Sequence, residues 1–551
     1  MPTTNTNRPI LDTKKWEFMS IAPAATATGA TIGNSNHIEN NVLYLTSNTT
    51  AWLYNPDQDG FVALSSPALA ATFNAGASVC ASGISTGTAT AASLTATGGS
   101  ASTIATNQAF ARDMRGYLIH ILSGPNAGVT LAIRSNTIGT NSTITVDTQA
   151  SSFSASTVFR LIAPTFYVLG AGTLAAGSFK KYDLATNTWT TLSITGLPSL
   201  IGTDGVLVST PSVFDANITS NATSSGATTL TDRKFNWIPN AFTGLTLRIL
   251  NGTGAGQSRT ISSNTSSVLT VSSAWTTNPD VTSVYTIEGS NYQPFAVGTA
   301  TAGGASTLTN SARNWETNQW TNYQVRILSG TGAGQIRTIA SNTATALTTS
   351  TAWTTTPDTT SVYSIEGNDD FLYFLGNNAV AMYRYSISSN TWTTLSPTAA
   401  RGGSPSTGMS AIWVWDVSDP DWTTENAIRN GQRIYSFRGG AAATLDYYDI
   451  AANIWVNAVT YAPAAETFTT GSKWVYSGNF IYGHKDATGR WFRLNLITGK
   501  MEGWGSPILQ TQTALAGNTA FAVVYNDGAT RIIYIHMILN TSAIHLRQMV
   551  I

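Results

Sequence analysis

Residues 182–189 read YDLATNTW, and the same spacing returns at 54–61 (YNPDQDGF), 385–392 (YSISSNTW) and 448–455 (YDIAANIW). An aromatic stands at either end, seven residues apart, with Asn or Gly in the middle to turn the chain between two strands. An apolar, strand-like run precedes each: VLYL at 42–45, FYVL at 166–169, FLYFL at 371–375 and RIYSF at 433–437. A further short strand follows, as in WTTLSI and WTTLSP. The unit is a meander of short antiparallel strands, and repeating such a unit radially makes a propeller.

Working outward, one meander ends at 61–65, one at 189–194, one at 392–396 and one at 455–459. A fifth runs through 480–483, 491–496 and 501–504. The last, at 521–525, 532–538 and 544–551, has three strands, while a strand at 16–21 is left over at the other end of the chain. Pairing that strand into the last meander closes a ring of six blades.

The Tyr-Asp…Asn-Thr-Trp pattern resembles the third and fourth strands of the kelch repeat, with YDLATNTW the best match and Arg438-Gly439-Gly440 similar to the family's double glycine. Most of the meanders lack that Gly-Gly. The resemblance implies a divergent kelch-like β-propeller. It implies no particular activity, because propellers host many unrelated ones.

A second periodicity interrupts the first. Trp237, Arg248, Arg259, Trp275 and Glu288 recur as Trp315, Arg326, Arg337, Trp353 and Glu366, each displaced by 78 residues. RILNGTGAGQSRTISSNT and RILSGTGAGQIRTIASNT are the clearest copies, and IHILSGPNAGVTLAIRSNT at 119–137 is a degenerate third. The degenerate copy falls just before FYVL, and the tandem pair falls between VLVSTPSVF and FLYFL. Both slots lie between the first and second strands of neighbouring blades, so all three modules are expected to leave one face of the disc. The expected fold is thus all-β: a six-bladed kelch-like propeller, its N-terminal strand closing the last blade, with three inserted small β modules. The expected division is propeller at 1–83, module at 84–163, propeller at 164–215, modules at 216–292 and 293–368, and propeller at 369–551.

Composition narrows the function classes. Lys+Arg and Asp+Glu both number 28 and charged residues are 10% of the 551, so no clustered basic surface for nucleic acid is expected. Ser, Thr, Asn and Gly with 16 Trp, 20 Tyr and 19 Phe suit short strands and tight turns. So low a surface charge is poorly soluble on a free monomer, which points to partial cover in an assembly. Cys80 is the only cysteine, so neither a disulfide framework nor a CxxC zinc site is expected. The N-terminus has no apolar h-region and no run approaches 18 apolar residues, so neither a secretory signal nor membrane insertion is expected.

Within each tandem copy, Arg-Ile-Leu, a six-residue loop and Gln-x-Arg-Thr-Ile form a hairpin. Closing it at Leu250 and Gln257 sets Arg248 opposite Arg259, and Arg326 opposite Arg337. Two like charges so placed need an anion between them, or a carboxylate partner such as Glu288 or Glu366. In the degenerate copy the three positions are His120, Leu131 and Ile162. Their joint loss favours an internal Arg–Glu–Arg cluster over an anion or sugar-acid pocket. GTGAG at 252–256 and 330–334 superficially matches a dinucleotide fingerprint, but a β-like run follows it where that fingerprint needs a helix. No cofactor is expected. Trp237, Trp275, Trp315 and Trp353 are candidates either for sugar-stacking platforms or for the core of a small module, the second being the commoner use.

Signals for catalysis are sparse. The five histidines (His37, His120, His484, His536, His545) carry no HExxH or His-x-His spacing, although His536 and His545 fall on adjacent expected strands. Kelch-like oxidases use a copper centre with a Tyr–Cys crosslink, and Cys80 has no ligand set near it in sequence. SSNTWTTL at 388–395 is similar to a sialidase Asp box without the aspartate. For paired carboxylates the positions to inspect are Asp369, Asp370, Asp416, Asp446 and Asp449.

The RILSGTGAGQxRTI module looks like repeats of tailed-bacteriophage virion and tail proteins. That resemblance implies a non-enzymatic structural protein of a virion, made in the host cytoplasm: a tail hub or nozzle, a fibre base or a capsid-attached component. Its implied partners are other virion proteins and copies of itself, with a host-surface glycan as a further one. The alternatives are a carbohydrate-binding adhesion protein and a propeller polysaccharide hydrolase or lyase.

Overall fold

The computed structural model describes, with short breaks, residues 42–71, 78–82, 94–210, 218–233, 242–288, 296–366, 371–415, 432–459 and 473–503, together with the strands at 16–18, 31–34, 520–526, 532–538 and 545–549. The described residues are all-β. Four-stranded antiparallel meanders run in chain order. The first is Thr31–Asn34, Val42–Ser47, Thr50–Asn55 and Gly60–Ala63; the second is Ser78–Ser82, Thr165–Leu169, Phe179–Asp183 and Thr188–Thr191. The third is Val206–Ser209, Phe371–Leu375, Met382–Ser386 and Thr391–Thr394; the fourth is Ser410–Trp415, Gln432–Gly439, Ala442–Asp449 and Ile454–Val456. Lys473–Ser477, Phe480–Lys485, Arg490–Asn495 and Lys500–Gly503 form the fifth. The sixth is Ala520–Asn526, Ile532–Ile538 and His545–Met549, and there Trp16–Phe18 adds antiparallel to the last strand with Trp16 opposite Gln548.

The first strands of successive sheets touch, Thr31–Asn34 with Ser78–Ser82 and so on to Ala520–Asn526, which touches Thr31–Asn34 again. The arrangement is propeller-like. Cores lie between sheet faces. Tyr182, Phe166 and Val168 of the second sheet pack with Leu43, Leu45 and Leu53 of the first. Tyr167, Leu169 and Phe179 turn the other way, onto Leu372, Tyr385 and Trp392 of the third. Strand alternation therefore buries both faces of one sheet, which explains why FYVL and FLYFL read as unbroken apolar runs.

The aromatic turn that opened the sequence is also the fastener between sheets. The Tyr182 hydroxyl donates to Asn187 Oδ1 at 2.7 Å, Tyr385 to Asn390 Oδ1 at 2.6 Å and Tyr448 to Asn453 Oδ1 at 2.7 Å. Each of these asparagines is left-handed, with φ of 54°, 53° and 53°, a conformation Asn tolerates better than other side-chain-bearing residues. The flanking rings pack at centroid distances of 5.0, 5.1 and 5.5 Å for Tyr182–Trp189, Tyr385–Trp392 and Tyr448–Trp455. Each turn then reaches the preceding sheet. Trp189 Nε1 donates to the Ser65 carbonyl (2.9 Å), Trp392 Nε1 to the Ser193 carbonyl (3.0 Å) and Asn453 Nδ2 to the Ser396 carbonyl (3.2 Å). Ser65, Ser193 and Ser396 all stand four residues beyond the closing aromatic of the sheet before.

Residues between the first and second strands of the second sheet form sheets of their own: Thr130–Ala132, Leu118–Ser123, Val158–Ile162 and Leu94–Thr95, and Ser135–Asn136, Thr143–Thr145, Thr103–Ala105 and Gly98–Gly99. Between those of the third, residues 218–288 and 296–366 each form one seven-stranded antiparallel arrangement with the same strand order. In each, a long strand (Ser258–Asn264 or Ile336–Asn342) changes register part-way and joins two sheets around a small apolar centre.

Replacing Asn390 separates the two roles of the turn. Asn390→Gly keeps the backbone angle and loses the acceptor of both the Tyr385 hydroxyl and the Ser193 N–H, a cost of about 2 kcal/mol. Asn390→Ala also forces a left-handed alanine, adding about 1 kcal/mol more. Urea titrations should rank wild type above Asn390→Gly above Asn390→Ala; equal midpoints for the two variants would remove strain from the account.

Candidate functional site

In the tandem copies the structure corrects the expected register. Leu247, not Arg248, lies opposite Arg259, and Arg248 lies opposite Ser258; Val325 faces Arg337 and Arg326 faces Ile336 in the same way. The hairpin closes at Ile249 and Gln257, where the Ile249 N–H donates to the Gln257 carbonyl at 2.9 Å. The cause is the core: Leu247, Ile249 and Ile261 must all point inward, and one residue of slip would turn each outward. The two arginines of each copy thus leave opposite faces of their sheet, and they form neither an anion clamp nor an Arg–Glu–Arg cluster.

Arg259 and Arg337 have a different partner. The Arg259 guanidinium lies 5.5 Å from the centre of the Trp275 ring, with Nε donating to the Ala274 carbonyl (3.0 Å) and Nη2 to the Thr276 hydroxyl (3.1 Å). Arg337 repeats this over Trp353 at 5.6 Å, bonded to Ala352 and Thr354. In the degenerate copy the arginine position is the core residue Leu131, and the place of Trp275 is taken by Gln149, whose N–H donates to Ala101 as that of Trp275 donates to Ala227. Arginine and tryptophan vanish as a pair, a signal present in the sequence alignment of the three copies and missed there. On the other face, Thr246 pairs with Glu288 and Arg248 with Thr286, so the register puts Glu288 diagonal to Arg248.

The remaining candidates are structural in position. Trp275, Trp315 and Trp353 are buried at 5%, 8% and 6% exposure, too deep to serve as stacking platforms; Trp237 lies outside the described residues. The glycine loop is tied down by Gln257, whose Nε2 donates to the Gly254 and Thr277 carbonyls while Oε1 accepts from the Thr276 and Thr277 N–H groups. Gln335 holds the second loop identically. Gly252 and Gly330 have φ of 77° and 78°, and a Cβ there would strike the carbonyls of Thr282 and Thr360, which accounts for glycine without a phosphate.

Among the carboxylates, Asp369, Asp370 and Asp416 lie outside the described residues. Asp446 is fully buried and engaged. Arg401 Nε donates to its Oδ2 at 2.9 Å, Arg438 Nε and Nη2 to Oδ2 and Oδ1 at 2.8 Å each, and the Ala458 N–H to Oδ1 at 3.0 Å. Arg401 also donates to the Ser436 hydroxyl and lies 4.7 Å over Trp455. This network joins the segment after the third sheet to the fourth. Asp449 accepts from the Ala452 N–H, closing the aromatic turn. Neither aspartate is disposed as an acid–base pair. Burial raises the Asp446 carboxyl, but the bonds from Arg438, Ala458 and Arg401 outweigh it and hold the group below the usual range.

Cys80 is buried opposite Tyr167, and burial pushes its thiol well up, away from a reactive thiolate. His536 stands opposite Arg547 and His545 opposite Ile538, so the two are not cross-strand partners. His37 lies outside the described residues. Among the described residues no group of His, Cys, Asp and Glu has the geometry of a metal site.

The polar side chains that do converge bind the repeat segments to the aromatic turns. Arg112 Nη2 donates to the Tyr182 hydroxyl oxygen (2.9 Å) and to Asn187 Oδ1 (3.3 Å), and the Ala111 N–H donates to the Ala185 carbonyl (2.9 Å). In the last copy, Asn322 Nδ2 donates to the Ile450 carbonyl at 3.4 Å, again at an aromatic turn.

No family model matches the chain, and no curated protein matches it. Among solved structures it is similar to YCF48 bound to D1 peptide (TM-score 0.29, 8% identity, 98% of this chain and 97% of that one). It is similar also to the WD40 domain of SCAP from fission yeast (0.25, 8%, 98% of each). Glutaminyl cyclase of Myxococcus xanthus gives 0.22 and 13% over 34% of this chain and 72% of that one. Likenesses this slight assign no activity.

The buried ion pair makes a pH prediction. The folded-state pKa of Asp446 is depressed, so its contribution is present above the ordinary carboxylate pKa of about 4 and is lost as pH falls through the lower folded value. Asp446→Asn, which leaves Arg401 buried against a neutral amide, should cost about 3–5 kcal/mol at pH 7. The gap between wild type and variant should close toward pH 2 in denaturant titrations; a gap independent of pH would refute the assignment.

Proposed function

We propose that this chain is a non-enzymatic structural protein of a bacteriophage virion, in which a six-bladed propeller presents three small β modules to neighbouring subunits or a host surface. In this reading the six meanders are the blades, and the pairing of Trp16–Phe18 with His545–Met549 is the ring closure. The segments at 94–162, 218–288 and 296–366 are modules carried in the loops between first and second strands of the second and third blades. Those loops and the aromatic turns between third and fourth strands belong to the same side of a propeller disc. The observation that carries the proposal is the anchoring of the attachments there, Arg112 to the turn of the second sheet and Asn322 to that of the fourth. The virion assignment leans on the resemblance of the RILSGTGAGQxRTI module to phage particle proteins. Engagement of Asp446, the arginines and the tryptophans in packing favours a scaffold over a hydrolase.

Mass spectrometry of purified particles from a lysate expressing the chain should find it in fixed stoichiometry with the structural proteins, and its absence from intact particles would defeat the assignment. Arg112→Ala should speed limited proteolysis within 84–163 several-fold while leaving the thermal midpoint of the sheets nearly unchanged. Unchanged cleavage would show that the arginine does not anchor the module.

A further inference from the structure

The tandem copies are near-duplicates, so a consistent difference in burial between equivalent positions reports what lies outside each copy. From Thr321 to Arg326 the last copy is the more covered. Thr321 and Asn322 are half-buried where Thr243 and Gly244 are exposed. Tyr323 is buried where Leu245 is half-buried, and Arg326 is completely buried where Arg248 is half-buried. Two neighbours stand against this stretch. Strand Gln324–Ser329 packs against strand Leu118–Ser123 of the degenerate copy. Asn322 Nδ2 donates to the Ile450 carbonyl in the aromatic turn of the fourth sheet, a bond that Gly244 has no side chain to make. The degenerate copy is itself fastened to the second sheet. There Arg112 holds Tyr182 and Asn187, the Ala111 N–H donates to the Ala185 carbonyl, and Ala185 joins the apolar core of that copy.

We propose that the degenerate and last copies form a strap across the third sheet, joined to each other in the middle and fastened at its ends to the aromatic turns of the second and fourth sheets. The strap has a physical task. The second and third sheets are the ones whose first and second strands are parted by the inserted residues, and closing so long a loop opposes their pairing. Tying the insertions to one another and to turns on either side offsets that cost. The join is polar and imperfect: Thr321 Oγ1 and Gln324 Oε1 are buried there without a hydrogen-bond partner. Acceptors left so weaken a contact, and the join is therefore where the strap opens first. This inference rests on the reading of the copies as modules carried by one propeller, but its test needs no particle.

Cysteine labelling on the full chain reads the join directly, because the native Cys80 is buried and silent. A maleimide should label Thr321→Cys several-fold more slowly than Thr243→Cys, the same position in the middle copy. Adding Arg112→Ala, in another copy and at the far end of the strap, should speed labelling of Thr321→Cys several-fold and leave that of Thr243→Cys unchanged. Equal labelling of the two cysteines overturns the strap, and so does a Thr321→Cys rate indifferent to Arg112→Ala. A second variant guards against misfolding of the cysteine proteins. Asn322 has φ of 68°, so Asn322→Gly keeps the backbone while removing the bond to Ile450. It should speed limited proteolysis within 84–163, although it lies in the last copy; cleavage there at the wild-type rate overturns the proposal. Absence of the chain from particles defeats the virion reading and leaves these results untouched.

Discussion

The bond between a tyrosine hydroxyl and an asparagine side chain in a left-handed turn is the constraint on which the sheet-to-sheet geometry depends. Tyr182 and Tyr385 are buried, and a phenol placed there without an acceptor would cost more than its bond returns. The acceptor is available only because Asn187 and Asn390 adopt positive φ, which tightens the turn and brings the closing tryptophan back over the tyrosine ring. The indole is then aimed at the preceding sheet, and its N–H finds the carbonyl of Ser65 or Ser193. One eight-residue stretch thereby satisfies a buried hydroxyl, closes a hairpin and fastens two sheets. The fourth sheet keeps the first two functions but transfers the third to Asn453, while Trp455 is covered by the guanidinium of Arg401.

That logic explains which parts of the molecule could be read from sequence. The seven-residue aromatic spacing was legible because both rings and the asparagine act within one turn. The strands were legible because their apolar runs are bounded by such turns. The register of the repeat hairpins was not. Loop length suggested Leu250 and Gln257 as the closing pair, whereas the inward demand of Leu247, Ile249 and Ile261 closes it at Ile249, and a bulge after Ile249 on the neighbouring pairing absorbs the difference. A one-residue slip then reassigned Arg259 from a charge cluster to the edge of the core. The Arg401–Asp446 pair was equally hidden, since nothing local links residues 45 apart in different sheet segments.

The three repeat copies vary in a way that reports their surroundings. Their inward positions hold size and polarity: Ile119 and Ile121 in one copy match Leu247 and Ile249, then Val325 and Ile327. Around this shared centre, features are lost in matched pairs. Tyr285 donates to Asp232, and Tyr363 accepts from Asn310; the degenerate copy has Phe159 and Thr106 at these places, so neither half of the bond is stranded. Arg259 leaves together with Trp275. Such paired loss is what burial requires, because removing one member would leave an unpaired polar group inside.

Outward positions follow another rule. They differ between copies, from Arg248 and Glu288 in the middle copy to His120 and Ile162 in the degenerate one. Among the described residues, Asp446 is engaged by two arginines, Asp449 by a turn and Arg337 by Trp353, while Cys80 lies in an apolar layer. Close packing around a common centre accounts for the agreement of the inward positions, since a change of size or polarity there must be matched by its neighbours.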